Sequence, residues 1–237
     1  MGNSFFRFKQ FVIHHGKSAM KVGTDGVLLG AWTDFSKSTS VLDIGTGSGL
    51  IAVMAAQRCN AFIDAVEIDA PSYFQAVENA ANCPWSEQIK IIHAFFQEFA
   101  SMSEKKYDHI ISNPPFFINF LKSAKAEKNL SCHNDLLPFP ELIEGVIKLL
   151  DTNGKFSIIL PVQEGELFIK TAQNASLFLN RKTMVYPCPW KPASRFLMEF
   201  SFNRIEVSEN NLTIELNERH EYSDEYKKLT EEFYLNF

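Results

Sequence analysis

Apolar positions divide the chain into two kinds of segment. From Val41 onward, short runs of β-branched and aromatic residues fall at Val41 to Ile44, Phe62 to Glu67, Ile89 to Ile92, Tyr107 to Ser112 and Lys155 to Leu160. Between them the spacing predicts helices from about Gly49 to Arg58, across Pro71 to Asn82, briefly after Ile92, and over Phe139 to Leu150. Strands that alternate with helices imply a parallel sheet covered on both faces. An earlier helix is predicted over Thr24 to Trp32, where Thr24 or Asp25 can cap and Val27, Leu28 and Ala31 form the apolar face. Beyond Leu160 the rhythm changes. Arg181 to Tyr186 and Arg195 to Phe202 read as adjacent strands joined through Pro187, Pro189 and Pro192. Ile205 to Glu215, broken at Asn210-Asn211, reads as an additional β-hairpin, and Ser223 to Leu235 as a closing helix capped by Ser223. The long stretch from Phe117 to Leu137 has no clear periodicity, and loops of that length in compact domains tend to be functional. The expected organisation is a single domain over 1–237: an extension and helix at 1–35, a core sheet at 36–204, and a hairpin with a C-terminal helix at 205–237.

Composition narrows the class without changing that layout. The 237 residues are 46% hydrophobic and 22% charged, which is ample for a buried core and far from disordered compositions. No stretch approaches the run of about 18 apolar residues needed to cross a bilayer, and Met1 to Phe11 lacks a signal-peptide core, so the expectation is a cytoplasmic protein with no membrane partner. Cys59, Cys83, Cys132 and Cys188 are scattered, with no pair at zinc-ligand or redox spacing, and no metal is expected. A net charge of −5 argues against coating nucleic acid by charge alone; any RNA contact must come from a local basic patch.

Chemistry enters at the end of the first core strand. Val41-Leu42-Asp43-Ile44-Gly45-Thr46-Gly47-Ser48-Gly49-Leu50 is an apolar strand, a glycine loop and a helix start. Glycines there tolerate positive φ and let a ligand approach without meeting a Cβ. The dinucleotide fingerprint spaces its glycines as G-x-G-x-x-G, whereas these fall at Gly45, Gly47 and Gly49, with Thr46 between the first two; that spacing favours S-adenosylmethionine (SAM) over NAD. Glu67 then places a carboxylate at the carboxyl end of the second core strand, where it can accept both hydroxyl protons of a ribose.

Asn113-Pro114-Pro115-Phe116 follows the strand Tyr107 to Ser112 at the same edge and is the most specific feature of the sequence. The exocyclic amine of adenine is a poor nucleophile because its lone pair is delocalised into the ring. The Asn113 side-chain oxygen and the Pro114 carbonyl can accept its two N–H groups without any charge to neutralise. Two prolines fix the backbone that carries them. Phe116 can stack on the base, with Phe117 beside it. Because a sulfonium methyl is already activated, positioning dominates and neither a catalytic triad nor a metal is expected.

In this order the glycine loop, Glu67 and Asn113 to Phe116 resemble the class I SAM-dependent methyltransferases that act on amines. The resemblance implies a Rossmann-like α/β fold, with a seven-stranded, mostly parallel sheet, a reversed last strand and helices on both faces. More narrowly, Phe8-Lys9-Gln10-Phe11, the block Met20 to Trp32 and the ending Phe233-Tyr234-Leu235 resemble the bacterial tRNA1(Val) adenine-37 N6-methyltransferases over nearly the whole chain. What this implies is SAM on Lys21, Thr24, Asp25, Asp43, Gly45 and Glu67, together with Thr46, Gly47 and Gly49 of the loop, and a target adenine on Asn113 to Phe116. Where many relatives carry an acid for the SAM adenine, this chain has Phe95, and Phe95 or Phe96 is expected to pack on the ring instead. The implied tRNA surface draws on Phe117, Lys122, Lys125, Lys128, His133, Lys191 and Arg195, with Arg7, Lys9, Lys17, Arg181 and Lys182 as further cations, and the expected state is a monomer.

The motif alone leaves rivals. Asn-Pro-Pro with an aromatic also serves methyltransferases of guanine amines in ribosomal RNA and of release-factor glutamines, and a SAM-binding module without catalysis is the alternative from a different class. The block Met20 to Trp32 favours tRNA.

Overall fold

The computed structural model describes residues 3–18, 20–114 and 137–236. Its centre is the alternation seen along the chain. β3 (Ser40–Ile44), β4 (Phe62–Glu67), β5 (Ile89–His93), β6 (Tyr107–Ser112) and β7 (Leu150–Pro161) run parallel, connected by α2 (Leu50–Arg58), α3 (Ala70–Ala81), α4 (Phe96–Met102) and α5 (Phe139–Leu149). Val41, Leu42, Ile110, Ile111, Ile158 and Ile159 are fully buried, because helices cover both faces of the sheet. β8 (Phe178–Tyr186) and β9 (Arg195–Ser201) complete a seven-stranded core in which only β9 runs against the rest, inserted between β7 and β8.

Two parts differ from the expectations. Ile205 to Glu215 is not a hairpin: β10 (Ser208–Thr213) is a single strand parallel to β8, with Asn210 opposite Thr183 and Asn211 opposite Met184. It makes the sheet eight-stranded, in the order β10-β8-β9-β7-β6-β3-β4-β5. The favoured two-residue hairpin turns need positive φ, and among the described non-glycine residues only Ser176 and His220 have it. The Asn pair is polar because it occupies a sheet edge, where polar side chains discourage further pairing. A helix that the reading left out, α6 (Val162–Asn174), links β7 to β8 and buries Phe168 and Ala172. The aromatic start forms a separate small sheet of β1 (Phe5–Arg7) and β2 (Val12–His14).

The block that distinguishes the chain, α1 (Thr24–Trp32), lies on α2 at close range. A Cβ on Gly30 would stand 2.8 Å from the Met54 sulfur, and one on Gly26 would stand 3.0 Å from Leu50 Cδ2. A Cβ at either position would require the Met54 or Leu50 side chain to shift, so glycine permits this close approach. Arg58 donates from Nη1 to the carbonyls of Gly30, Ala31 and Thr33 at 3.1, 2.8 and 2.6 Å, satisfying the end of α1 that has no helical partners. Trp32 Nε1 donates to Thr183 Oγ1 at 2.9 Å, and the Arg181 guanidinium lies 3.6 Å from the Trp32 ring. α1 is thus pinned to α2 and β8, and its N-terminal turn is held at the carboxyl edge of the sheet. α7 (Asp224–Thr230) closes the chain, capped by Ser223 as expected, with the Tyr226 N–H donating to Ser223 Oγ at 3.1 Å.

Candidate active site

At the carboxyl end of β3 the chain turns through Gly45, Gly47 and Gly49, with φ of 69°, 59° and 82°. L-residues other than glycine rarely adopt such angles. A Cβ on Gly45 or Gly47 would meet nothing within 4 Å, so the loop borders open space. The Gly45 and Thr46 N–H groups donate to the Val66 carbonyl at 2.9 and 3.1 Å, which ties the loop to the end of β4.

Glu67, the next residue of β4, organises this edge. Its Oε2 accepts from the Gly47 N–H at 2.7 Å, and Oε1 accepts from the N–H groups of Ile68 and Asp69 at 2.9 and 2.8 Å. A carboxylate offers about four acceptor sites. The group expected to meet ribose hydroxyls therefore already fixes the loop. Asn79 of α3 does comparable work that the sequence reading missed: its Nδ2 donates to the carbonyls of Ser48 and His14 at 2.8 and 2.7 Å, and its Oδ1 accepts from the His14 N–H at 2.9 Å. The only local sign of it is a polar residue on the buried face of a helix.

Asp43 is buried beneath the loop. Its Oδ2 accepts from Thr46 Oγ1 at 2.5 Å, and its Oδ1 has no hydrogen-bond partner among the described residues. Burial pushes its carboxyl up from 3.8 to about 7, and the nearby Glu67 charge adds to this, against the opposing hydrogen bonds of Thr46 and the Ala52 backbone. A carboxyl raised in the folded state takes up protons more readily there than in the unfolded chain, so the stability it contributes is full below pH 4. That stability is lost progressively as pH climbs to 7. A shift from 3.8 to about 7 corresponds to about 4 kcal/mol. Asp43→Asn is expected to flatten this decline, read from urea denaturation at pH 5 and pH 8; an unchanged difference between the two pH values would show that Asp43 does not carry it.

Asn113 stands one residue beyond β6, and β6 pairs with β3 through Ile44 and Ser112. Ser112 Oγ donates to the Ile44 carbonyl at 2.9 Å, locking the two strand ends together. Gly45 and Asn113 thus leave adjacent strands at one edge, in strands about 4.8 Å apart. Asn113 Oδ1 is buried without a hydrogen-bond partner among the described residues, and Nδ2 lies 3.8 Å from where a Cβ on Gly26 would stand. Pro114 is buried. Pro115, Phe116, Phe117, Lys122, Lys125, Lys128 and His133 lie outside the described residues.

The other predicted residues divide. Phe95 follows β5 at the same edge and is 36% exposed, whereas Phe96 is buried against Gly145, where a Cβ would stand 2.4 Å from its ring. Of the two, Phe95 is therefore the ring accessible to a ligand. His93 stacks on Tyr73 with centroids 4.9 Å apart and bonds through Nε2 to the Ile68 carbonyl at 2.9 Å. Lys21 and Lys191 are exposed. Thr24 and Asp25 line a neighbouring cleft, in which Asp25 Oδ2 accepts from Arg195 Nε at 2.9 Å. A residue predicted for cofactor and one predicted for RNA are thus joined across 170 positions of sequence. Among the further cations, Lys182 pairs with Glu209, Lys17 with Glu78 and Arg181 with Glu199.

A parallel sheet with one reversed strand, a glycine loop after its first core strand and an acid after the second define the Rossmann-like fold of class I methyltransferases. The chain belongs to the methyltransferase small domain family, whose model matches residues 17–165. It is 45% identical over 236 residues, covering 99% of both chains, to a protein of Bacteroides fragilis named tRNA1(Val) (adenine(37)-N6)-methyltransferase. It is 44% identical over 240 residues, covering all of both chains, to one of the same name from Trichodesmium erythraeum. Among solved structures it is similar in fold to a protein described as a predicted O-methyltransferase from Agrobacterium tumefaciens (TM-score 0.68, 18% identity, 88% of this chain and 96% of that one). A ribosomal protein L11 methylase from Lactobacillus delbrueckii subsp. bulgaricus is similar with a TM-score of 0.59 and 17% identity, over 81% of this chain and 84% of that one.

Proposed function

We propose that this chain transfers a methyl group from SAM to the N6 amine of an adenine in tRNA, with adenine 37 of tRNA1(Val) as the target that its full-length relatives' names indicate. The observation that carries the chemistry is the Asn113 side-chain oxygen, buried on the strand next to the glycine loop's and without a hydrogen-bond partner among the described residues. A buried acceptor left without a donor costs about 1–3 kcal/mol, and a ligand N–H placed there recovers it.

The residues at this edge fit SAM. Open space borders Gly45 and Gly47, a second buried oxygen without a partner among the described residues lies on Asp43, and Glu67 retains acceptor capacity for a ribose hydroxyl. Phe95 offers an exposed ring for the adenine of the cofactor, and Thr46 and Gly49 belong to the loop itself, with Lys21, Thr24 and Asp25 as further proposed cofactor contacts. When bound, SAM supplies a methyl group already activated on its sulfonium.

What the chain itself does is position the acceptor amine. Asn113 Oδ1 and the Pro114 carbonyl accept the two amine hydrogens, which turns the nitrogen lone pair away from the ring and toward the cleft above β3. Neither acceptor carries a charge, so nothing competes with the positive charge that develops on nitrogen, and both are fixed in advance by the β3–β6 pairing. Phe116 stacks on the base. Phe117, Lys122, Lys125, Lys128 and His133 follow in the same chain segment as RNA contacts, joined by Lys191. No helix among the described residues is long and apolar enough to cross a membrane, and a tRNA substrate supports a cytoplasmic enzyme.

Initial rates with unmodified tRNA, ribosomal subunits and release factor separate this reading from its rivals, which share the Asn-Pro-Pro chemistry. Fast transfer to tRNA alone is expected; transfer to release factor or to ribosomal RNA at a comparable rate would overturn it.

A further inference from the structure

Beside the proposed target site lies a second cleft of about 990 Å³, formed where the N-terminal β1, the start of α1, the β8–β9 connection and the C-terminal segment meet. Its lining includes Thr24, Asp25 and Arg195 but neither Asn113 nor Pro114, the residues that hold the reacting amine. One wall is aromatic: Tyr222 stacks on Tyr226 with centroids 5.3 Å apart, and Tyr226 faces Tyr234 at 6.3 Å. Tyr226 is buried while Tyr222 and Tyr234 are partly exposed toward the cleft they line. Cations stand around it. Arg7 is exposed and has no ion-pair partner among the described residues, and Arg195 and Lys227 also line the cleft.

The acids of the cleft are already engaged. Asp25 accepts from Arg195, and Glu215 accepts the His220 N–H at 3.0 Å. His220 carries a φ of 70°, a strained angle for a side chain of its kind, and its Nδ1 lies 3.2 Å from the Tyr222 hydroxyl. Arg195 and Lys227 are paired, with Asp25 and Asp224, which leaves Arg7 as the cleft cation without an ion pair among the described residues; flat aromatic faces beside such a cation suit a base and its phosphate, whichever base it is.

Topology puts this cleft in register with the target site. β8 ends at Tyr186 and β9 begins at Arg195, so both contribute to the same carboxyl edge from which Asn113 emerges. In the sheet order β9 is two strands from β6, roughly 10 Å. α1 spans the gap: Gly26 abuts Asn113, while Thr24 and Asp25 line the cleft. Tyr222 bridges Glu215, just beyond β10, four strands from β6 and so roughly 19 Å away; an RNA with one base on Asn113 reaches it with a nucleotide a few positions along the chain.

We propose that this cleft is a second nucleotide subsite, taking onto Tyr222 a base of the substrate RNA a few nucleotides from the target adenine, while Arg7 holds a phosphate. It rests on the tRNA reading above. The subsite explains why the conformation of α1 is so heavily fixed: the helix separates and aligns the two nucleotide positions.

The test uses the full-length enzyme with unmodified tRNA transcripts at saturating SAM. Tyr222→Ala is expected to raise KM for tRNA about ten-fold, with kcat and SAM affinity within about two-fold of wild type, and Tyr222→Phe is expected to retain the wild-type KM. Arg7→Ala, on the surface and remote from the core, is expected to reduce the slope of RNA affinity against salt by about one. Transcripts made abasic singly at each of the few positions on either side of the target identify the nucleotide: one of them should lose about the same factor with wild type and nothing further with Tyr222→Ala. An unchanged KM for Tyr222→Ala with SAM binding intact overturns the subsite, as does an abasic loss that adds in full to that of the variant. A wild-type enzyme that transfers no methyl to any tRNA overturns the substrate reading and the subsite together, so the two failures are distinct.

Discussion

Replacing Asn113 by Ala is expected to lower kcat for tRNA methylation by about 10²–10³-fold while leaving SAM affinity within about two-fold of wild type. The magnitude follows from the loss of one preorganised polar partner in a site shielded from water, where it acts at full strength and needs no reorganisation as the reaction proceeds. The selectivity follows from geometry. Asn113 leaves β6, while the loop and the acid leave β3 and β4, so truncation removes an acceptor for the amine without touching Gly45, Gly47 or Glu67. Its oxygen has no hydrogen-bond partner among the described residues. Isothermal calorimetry with SAM and single-turnover rates with tRNA read the two effects separately. A variant that loses SAM binding in step with turnover would place Asn113 in the cofactor site instead.

Glu67→Ala is expected to do the reverse and abolish cofactor binding first. Its carboxylate holds the N–H groups of Gly47, Ile68 and Asp69, and removal leaves all three without that acceptor. A lost partner costs about 1–3 kcal/mol for each group that stays buried, so the partly buried set here should lower stability by about 2–4 kcal/mol. The glycine loop then loses its anchor to β4 beyond the Val66 carbonyl, and SAM affinity is expected to fall by at least about 100-fold, the product of a displaced loop and a missing hydroxyl acceptor. Urea denaturation and calorimetry check the two parts. SAM affinity within about three-fold of wild type would exclude Glu67 from the ribose site and leave it a purely structural clasp.

Much of this site is legible in the sequence because its parts are local. The continuous apolar runs at Val41, Phe62 and Tyr107 give the strands to within a residue, and each functional signature follows its strand directly: the glycines after Ile44, the acid at the end of β4, Asn113 after Ser112. What escaped depends on pairing between distant segments. Asn79 braces Ser48 and His14 from 31 and 65 residues away, and no periodicity marks it. Asp25 and Arg195 each carried a role in the sequence reading, but their ion pair depends on β9 entering the sheet beside β7. β10 was misread because an exposed edge strand and a polar turn share the same residues, and α6 because only two of its four buried positions, Phe168 and Ala172, are apolar side chains, the others being Glu164 and Gly165. The block Met20 to Trp32 shows the converse: a resemblance marked it as distinctive, and the packing of Gly26 and Gly30 on Leu50 and Met54 supplies a physical reason.

The most direct measurement is the identity of the product. Purified protein incubated with isotopically labelled SAM and tRNA lacking the modification, followed by digestion to nucleosides and mass spectrometry, is expected to yield labelled N6-methyladenosine from a single position of tRNA1(Val), and none from the Asn113→Ala reaction at the same time point. Label recovered on guanosine or on the adenine N1, or equal labelling by the alanine variant, would contradict an amine gripped by Asn113 and Pro114.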